Sequence, residues 1–141
     1  MSTLSYDELI NIVHKSFESE KKADLNLIKQ LVSDDFVRTS MTISGDTLFP
    51  DYYFNKELGK LEANNISREF HIWNIAANEK QQTVFVELTE IEKDGSSELI
   101  WPYMLICEIK SGKISRTRQY GDPAVMSKKV KLKEIKKIIR G

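Results

Sequence analysis

Apolar residues recur along this chain with two different periods, and the change from one to the other divides it near the middle. Leu9, Ile12, Val13 and Phe17 fall at helical spacing, leaving Glu8, Asn11, Lys15 and Glu18 for solvent. Ser5 and Glu8 have the Ser-x-x-Glu spacing of a capping box, in which hydroxyl and carboxylate each satisfy an orphan backbone N–H, so the first helix is expected to start there. After a polar joint over residues 18–22, Asp24 can cap a second helix whose apolar face is Leu25, Ile28, Leu31 and Val32, and Ser33-Asp34-Asp35 ends it. Residues 36–43 lean towards strand and Ser44-Gly45-Asp46 is a turn. Pro50 or Asp51 can then open a third helix through Leu61, with Phe54, Leu58 and Leu61 on one buried face, stopped by Asn64-Asn65.

From there to Asp122 the period is two. Four strands are expected, over residues 68–77, 83–92, 98–110 and 113–121. The joints Lys93-Asp94-Gly95-Ser96 and Ser111-Gly112 are hairpin signals, and consecutive hairpins make a curved meander. The third strand carries Leu99, Trp101, Tyr103, Leu105, Cys107 and Ile109 on one face, yet Ile100, Met104 and Ile106 on the other. A strand apolar on both faces is covered on both. In a chain of 141 residues the helices can cover one, so the other is expected to meet a second copy in a homodimer.

The closing strand carries more than secondary structure. Gly112-Lys113-Ile114 opens it and Tyr120-Gly121-Asp122-Pro123 ends it, a run that resembles the last strand of the nuclear transport factor 2-like superfamily, SnoaL-like (polyketide-cyclase-like) branch. Helix, polar joint, Asp-capped helix and Asp34-Asp35-Phe36 form a second phrase similar to that family, so the resemblance spans about residues 5–123. It implies an α+β cone, with three N-terminal helices packed on a strongly curved, mostly antiparallel sheet around an apolar pocket. The domain is assigned to residues 1–126, and residues 127–141 to a basic helical extension.

Parity along the last strand puts Ser115, Thr117, Gln119 and Gly121 on one face and Ile114, Arg116, Arg118 and Tyr120 on the other. In family members that act on epoxides, the catalytic carboxylate matches the position before the tyrosine, with a tryptophan two residues earlier. Gln119 and Thr117 stand there, and a glutamine amide neither takes up nor delivers a proton at neutral pH. The Arg-x-Asp of the same members aligns with Leu88-Thr89-Glu90, which keeps only the carboxylate. Epoxide hydrolysis is therefore not expected.

Other acid–base candidates remain. His71 shares a strand face with Trp73, and polyketide-cyclase-like members often place a histidine there; an imidazole titrating near neutrality suits proton abstraction beside a carbonyl. Glu90 would serve as a base if buried, and Glu87, of opposite parity, would then face away. Asp122 matches the Tyr-x-Asp of the family, although capping the strand end before Pro123 is its simpler role. Tyr6, Tyr52, Tyr53 and Tyr103 are hydroxyls that could donate to a ligand carbonyl, and Tyr53 and Tyr103 with Trp73, Thr117 and Gln119 complete the expected ligand-binding set. Trp73 and Trp101 are more simply core residues.

Composition removes several classes of function. The single cysteine, Cys107, cannot form an intrachain disulfide and suits a reducing, cytoplasmic setting. His14 and His71 lie in different elements, so no metal site is expected, and without a Gly-rich phosphate loop no cofactor is either. No stretch reaches the length of a transmembrane segment. Net charge is zero, but residues 127–141 carry +6 against −6 elsewhere. Val130, Leu132, Ile135, Ile138 and Ile139 are interleaved with those lysines, a basic amphipathic pattern that could meet nucleic acid or an anionic membrane but more simply docks on the acidic body. Three readings follow: a binding domain for a small apolar or carbonyl-bearing molecule, an isomerase or cyclase using His71 or a buried carboxylate, and a non-catalytic interaction module working through the sheet face and basic tail.

Overall fold

The computed structural model describes residues 3–41, 47–48, 66–121 and 136–137. Its first element, α1 (Tyr6–Lys21), begins where the Ser5 hydroxyl accepts from the Glu8 N–H at 3.3 Å, and it buries Leu9, Ile12, Val13 and Phe17. Asp24 caps α2 (Leu25–Leu31) by accepting from the Leu27 N–H at 3.1 Å. The helix stops earlier than the apolar spacing suggests. Val32 is already extended, and it opens β1 (Val32–Ser40) instead of closing α2. A β-branched residue fits that role, because Val32 pairs with Ile114 and is buried from the strand side.

After β2 (Thr47–Leu48), which the periodicity did not signal, come β3 (Ser67–Asn78), β4 (Thr83–Asp94), β5 (Ser97–Lys110) and β6 (Lys113–Tyr120). The last four form the expected antiparallel meander. Ser111 and Gly112 both have positive φ, 52° and 75°, as a two-residue hairpin matched to strand twist requires. β1 adds beside β6 in parallel, giving the order β2-β1-β6-β5-β4-β3 and a mixed sheet.

The register shifts at three places, on β1 between Val32 and Val37 and at bulges on β3 and on β6. On β3 the register slips between Ile72 and Asn74, leaving Trp73 as the extra residue. On β6 it slips so that Ile109 faces Ile114 while Glu108 faces Arg116, leaving Ser115 extra. The second bulge corrects the parity drawn from sequence: Ile114 lies on the same face as Thr117 and Gln119, and all three are buried.

The helices cover one face, termed concave here. Leu9, Val13, Phe17 and Ile28 pack on Val84, Val86, Leu88, Tyr103, Leu105, Cys107, Ile109 and Ile114 in one cluster. On the opposite, convex face Ile91 and Ile100 form a small second cluster with Trp73. The expected third helix lies outside the described residues, as does the boundary at 126/127. Of the extension, Lys136 and Lys137 are described; both are helical and exposed. Among the described residues no helix is long and apolar enough to cross a membrane.

Candidate functional site

Strand pairing decides which side chains meet on the concave face. Glu90 is opposite Phe70 and Trp101, Leu88 is opposite Tyr103, Leu105 is opposite Gln119, and Thr117 is opposite both Cys107 and Arg38. Paired residues share a face, so five strands deliver polar groups onto an otherwise apolar surface.

Glu90, 3% exposed, is the centre of the larger group. Its Oε1 accepts from Arg68 Nη2 at 2.7 Å and from the Tyr103 hydroxyl at 2.9 Å. Arg68 also reaches Glu20 on α1 at 3.4 Å and lies over the Phe70 ring, 5.0 Å from its centroid. Burial, and then the neighbouring Glu90 charge, hold the Tyr103 hydroxyl well above the ordinary phenol range. The phenol thus keeps its proton and donates it to Glu90.

The second group is built on Gln119. Arg38 Nη2 donates to Gln119 Oε1 at 2.5 Å. A guanidinium only donates, so the amide oxygen must face Arg38 and the NH2 must point away. That Nε2, Thr117 Oγ1 and Trp101 Nε1 are all buried, and none has a hydrogen-bond partner among the described residues. The Trp101 and Tyr103 rings tilt together, centroids 4.8 Å apart. A Cβ on Gly121 would lie 3.0 Å from Tyr103 Cβ and 3.2 Å from Trp101 Nε1, so a larger residue there would press on the indole nitrogen.

Four of the residues singled out from sequence, Glu90, Tyr103, Thr117 and Gln119, therefore share the concave face. His71 and Trp73 do not join them. His71 pairs with Thr89, whose parity is opposite to that of Glu90, and Trp73 Nε1 donates to Thr89 Oγ1 at 2.9 Å. His71 instead lies 3.9 Å from Glu69 and, with His14, Phe17 and Glu18, lines a groove of about 180 Å³ between α1 and β3. That is smaller than the ~300–1,000 Å³ of typical small-molecule sites, and it holds none of the unpartnered donors. Tyr53 and Asp122 lie outside the described residues. Among those residues no group of three or more His, Cys, Asp or Glu is arranged to hold a metal.

Sequence reading did not single out Arg38, Arg68 or Glu20. One signal was available for Arg68: it shares strand parity with the apolar Phe70 and Ile72, and inward parity on a half-buried strand marks a charge that needs a partner.

No protein-family model and no curated protein matches the sequence. Solved structures do. An LEH-like epoxide hydrolase of M. tuberculosis superposes with a TM-score of 0.73 at 17% identity, covering 96% of this chain and 98% of its own. PrhC from Penicillium brasilianum gives 0.75 at 12%, covering 89% and 86%. A protein with a ketosteroid isomerase-like fold from Catenulispora acidiphila, in complex with trimethylamine, gives 0.65 at 14%, covering 82% and 88%. The chain has the nuclear transport factor 2-like fold. At such identities the likeness carries the fold alone, and function has to come from the site.

Cys107 tests how dry the interior of this fold is. Burial pushes its thiol up to about 12, so the folded state holds the proton more tightly than the unfolded chain does. The resulting stability is complete below the ordinary thiol pKa of about 8.5 and is lost as pH rises towards 12. Denaturant titrations at stepped pH are expected to show stability falling above about pH 8.5, by up to ~1.4 kcal/mol per pH unit from this group. Tyr103 adds to the loss above about pH 10, its ordinary value. Cys107→Val should flatten the early part of the fall; an unchanged profile would show that the thiol is not the cause.

Proposed function

We propose that the concave face of this nuclear transport factor 2-like domain holds a small apolar molecule bearing a hydrogen-bond acceptor, and binds it without epoxide-hydrolase chemistry. The observation that supports this most is the Gln119 amide, 3% exposed, with its oxygen fixed by Arg38 and its NH2 left without a partner among the described residues. Leaving a buried donor unpaired costs about 1–3 kcal/mol, and a bound acceptor would recover it. Hydrolysis is disfavoured by the same residue, because an amide cannot exchange a proton with water as a carboxylate can. Leu88, 1% exposed, supplies no charge, and Glu90 is already engaged by Arg68 and Tyr103.

The convex face supports a second element of the proposal, pairing of two copies. Met104 and Tyr120 face each other across β5 and β6 and are 42% and 40% exposed, next to the partly buried Ile106. Native mass spectrometry of the purified protein tests both elements. The expected result is a dimer mass and either a co-purified apolar compound or a Tm that rises with added ketone in proportion to its occupancy. Turnover of an offered ketone, lost in Glu90→Gln, would move the reading from binder to isomerase- or cyclase-type enzyme. A bare monomer insensitive to every compound would remove the pocket and the pairing together.

A further inference from the structure

We infer that Trp101 Nε1, Gln119 Nε2 and the Thr117 hydroxyl form a row of donors that takes up an uncharged carbonyl group and discriminates against a carboxylate. The inference rests on reading the concave face as a binding pocket and adds to it the charge and polarity of the ligand.

The polarity follows from what each neighbour is already doing. Gln119 Oε1 is taken by Arg38, and Glu90 Oε1 accepts from both Arg68 and Tyr103. On Trp101, Gln119 and Thr117 an indole N–H, an amide NH2 and a hydroxyl stay without a partner among the described residues, and all three can donate. A ligand that offers only donors, such as an ammonium group, leaves the indole N–H and the amide NH2 unmet. A ligand that offers an acceptor oxygen meets them.

Charge narrows the class further. Glu20, Glu90, Arg38 and Arg68 sum to zero, and both guanidinium groups are bonded to protein side chains. The unpartnered donors are themselves neutral. A carboxylate placed among them would bring an uncompensated negative charge into a buried region that already contains Glu90, and the desolvation of such a charge is not repaid by neutral donors alone. A ketone, ester or lactone oxygen carries no such penalty. Gly121 contributes by absence: a Cβ there would lie 3.2 Å from the indole nitrogen.

The test offers three apolar skeletons, cyclohexane, decalin and androstane, each as a ketone, with the oxygen removed, and with a carboxylate in its place. Affinities are read by isothermal titration on the full chain. The ketone is expected to bind at least about tenfold more tightly than the deoxygenated compound and the carboxylate on at least one skeleton. Trp101→Phe keeps the ring and removes the N–H. Gln119→Glu keeps a partner for Arg38 and replaces the donors by an acceptor. Either variant should shrink the ketone preference to about threefold or less while the deoxygenated compound binds as before; Thr117→Val, close in shape, checks that a smaller change acts in the same direction. Equal binding of ketone and deoxygenated compound, or tightest binding of the carboxylate, overturns the inference and leaves the pocket standing. Failure of all nine compounds to bind overturns both.

Discussion

Exchanging Arg68 for methionine is expected to cost about 3–5 kcal/mol of folding stability, because it strands a carboxylate in the interior. Arg68 and Glu90 have side chains only 9% and 4% exposed and meet at 2.7 Å, so water cannot replace the lost partner. Glu20, 11% exposed, loses its contact with the same guanidinium. In a chain of this length the change corresponds to a Tm lower by roughly 10–15 °C. The double variant Arg68→Met/Glu90→Gln removes the stranded charge and should regain most of the loss, since a buried ion pair is often worth little more than a neutral replacement. If the double variant is no more stable than Arg68→Met, the damage comes from lost packing over Phe70 and not from charge.

Leu88→Ala should be nearly as damaging, at about 3 kcal/mol, for a different reason. Leu88 is 1% exposed and lies between Ile72 on β3 and Tyr103 on β5. Truncation removes transfer free energy and leaves a cavity that the paired strands cannot close by collapse. Urea denaturation measures it: the midpoint should fall with the slope unchanged. A loss below about 1 kcal/mol would mean that this stretch of β4 is not packed as described.

The parts of the fold that were legible in the sequence are those set by neighbours along the chain. The Ser5 and Asp24 caps, the Ser111-Gly112 turn and the apolar residues on both faces of β5 each follow from spacings of a few residues. Pairings between distant segments were not legible. Val32 reads equally well as the last apolar residue of a helix or the first of a strand, and only its parallel partner Ile114 settles which. Parity after Ser115 fails for the same reason, since a bulge is a property of two strands together.

The site divides similarly. Thr117 and Gln119 could be placed on one face from strand parity, whereas the facing of Glu90 and Tyr103 became legible only from their pairing with Trp101 and Leu88. His71 attracted attention through its titration range, but which face it occupies depends on its register with Thr89. Arg38 and Arg68 were not singled out, because only the sheet brings them to Gln119 and Glu90. Trp101 was read as core. Its ring is packed against Tyr103, but nothing in a sequence shows that an indole N–H will lack a partner.

The two tryptophans make the central claim directly measurable. Their indole N–H signals are resolved by proton–nitrogen NMR and assigned with Trp73→Phe. The Trp73 N–H is already bonded to Thr89 Oγ1 on the convex face, whereas that of Trp101 has no partner among the described residues of the concave face. In a titration with the tightest-binding ketone, a concave-face pocket predicts a saturable downfield movement of the Trp101 indole proton while that of Trp73 stays in place. Saturation with no movement at Trp101, or with movement at Trp73 alone, would contradict it.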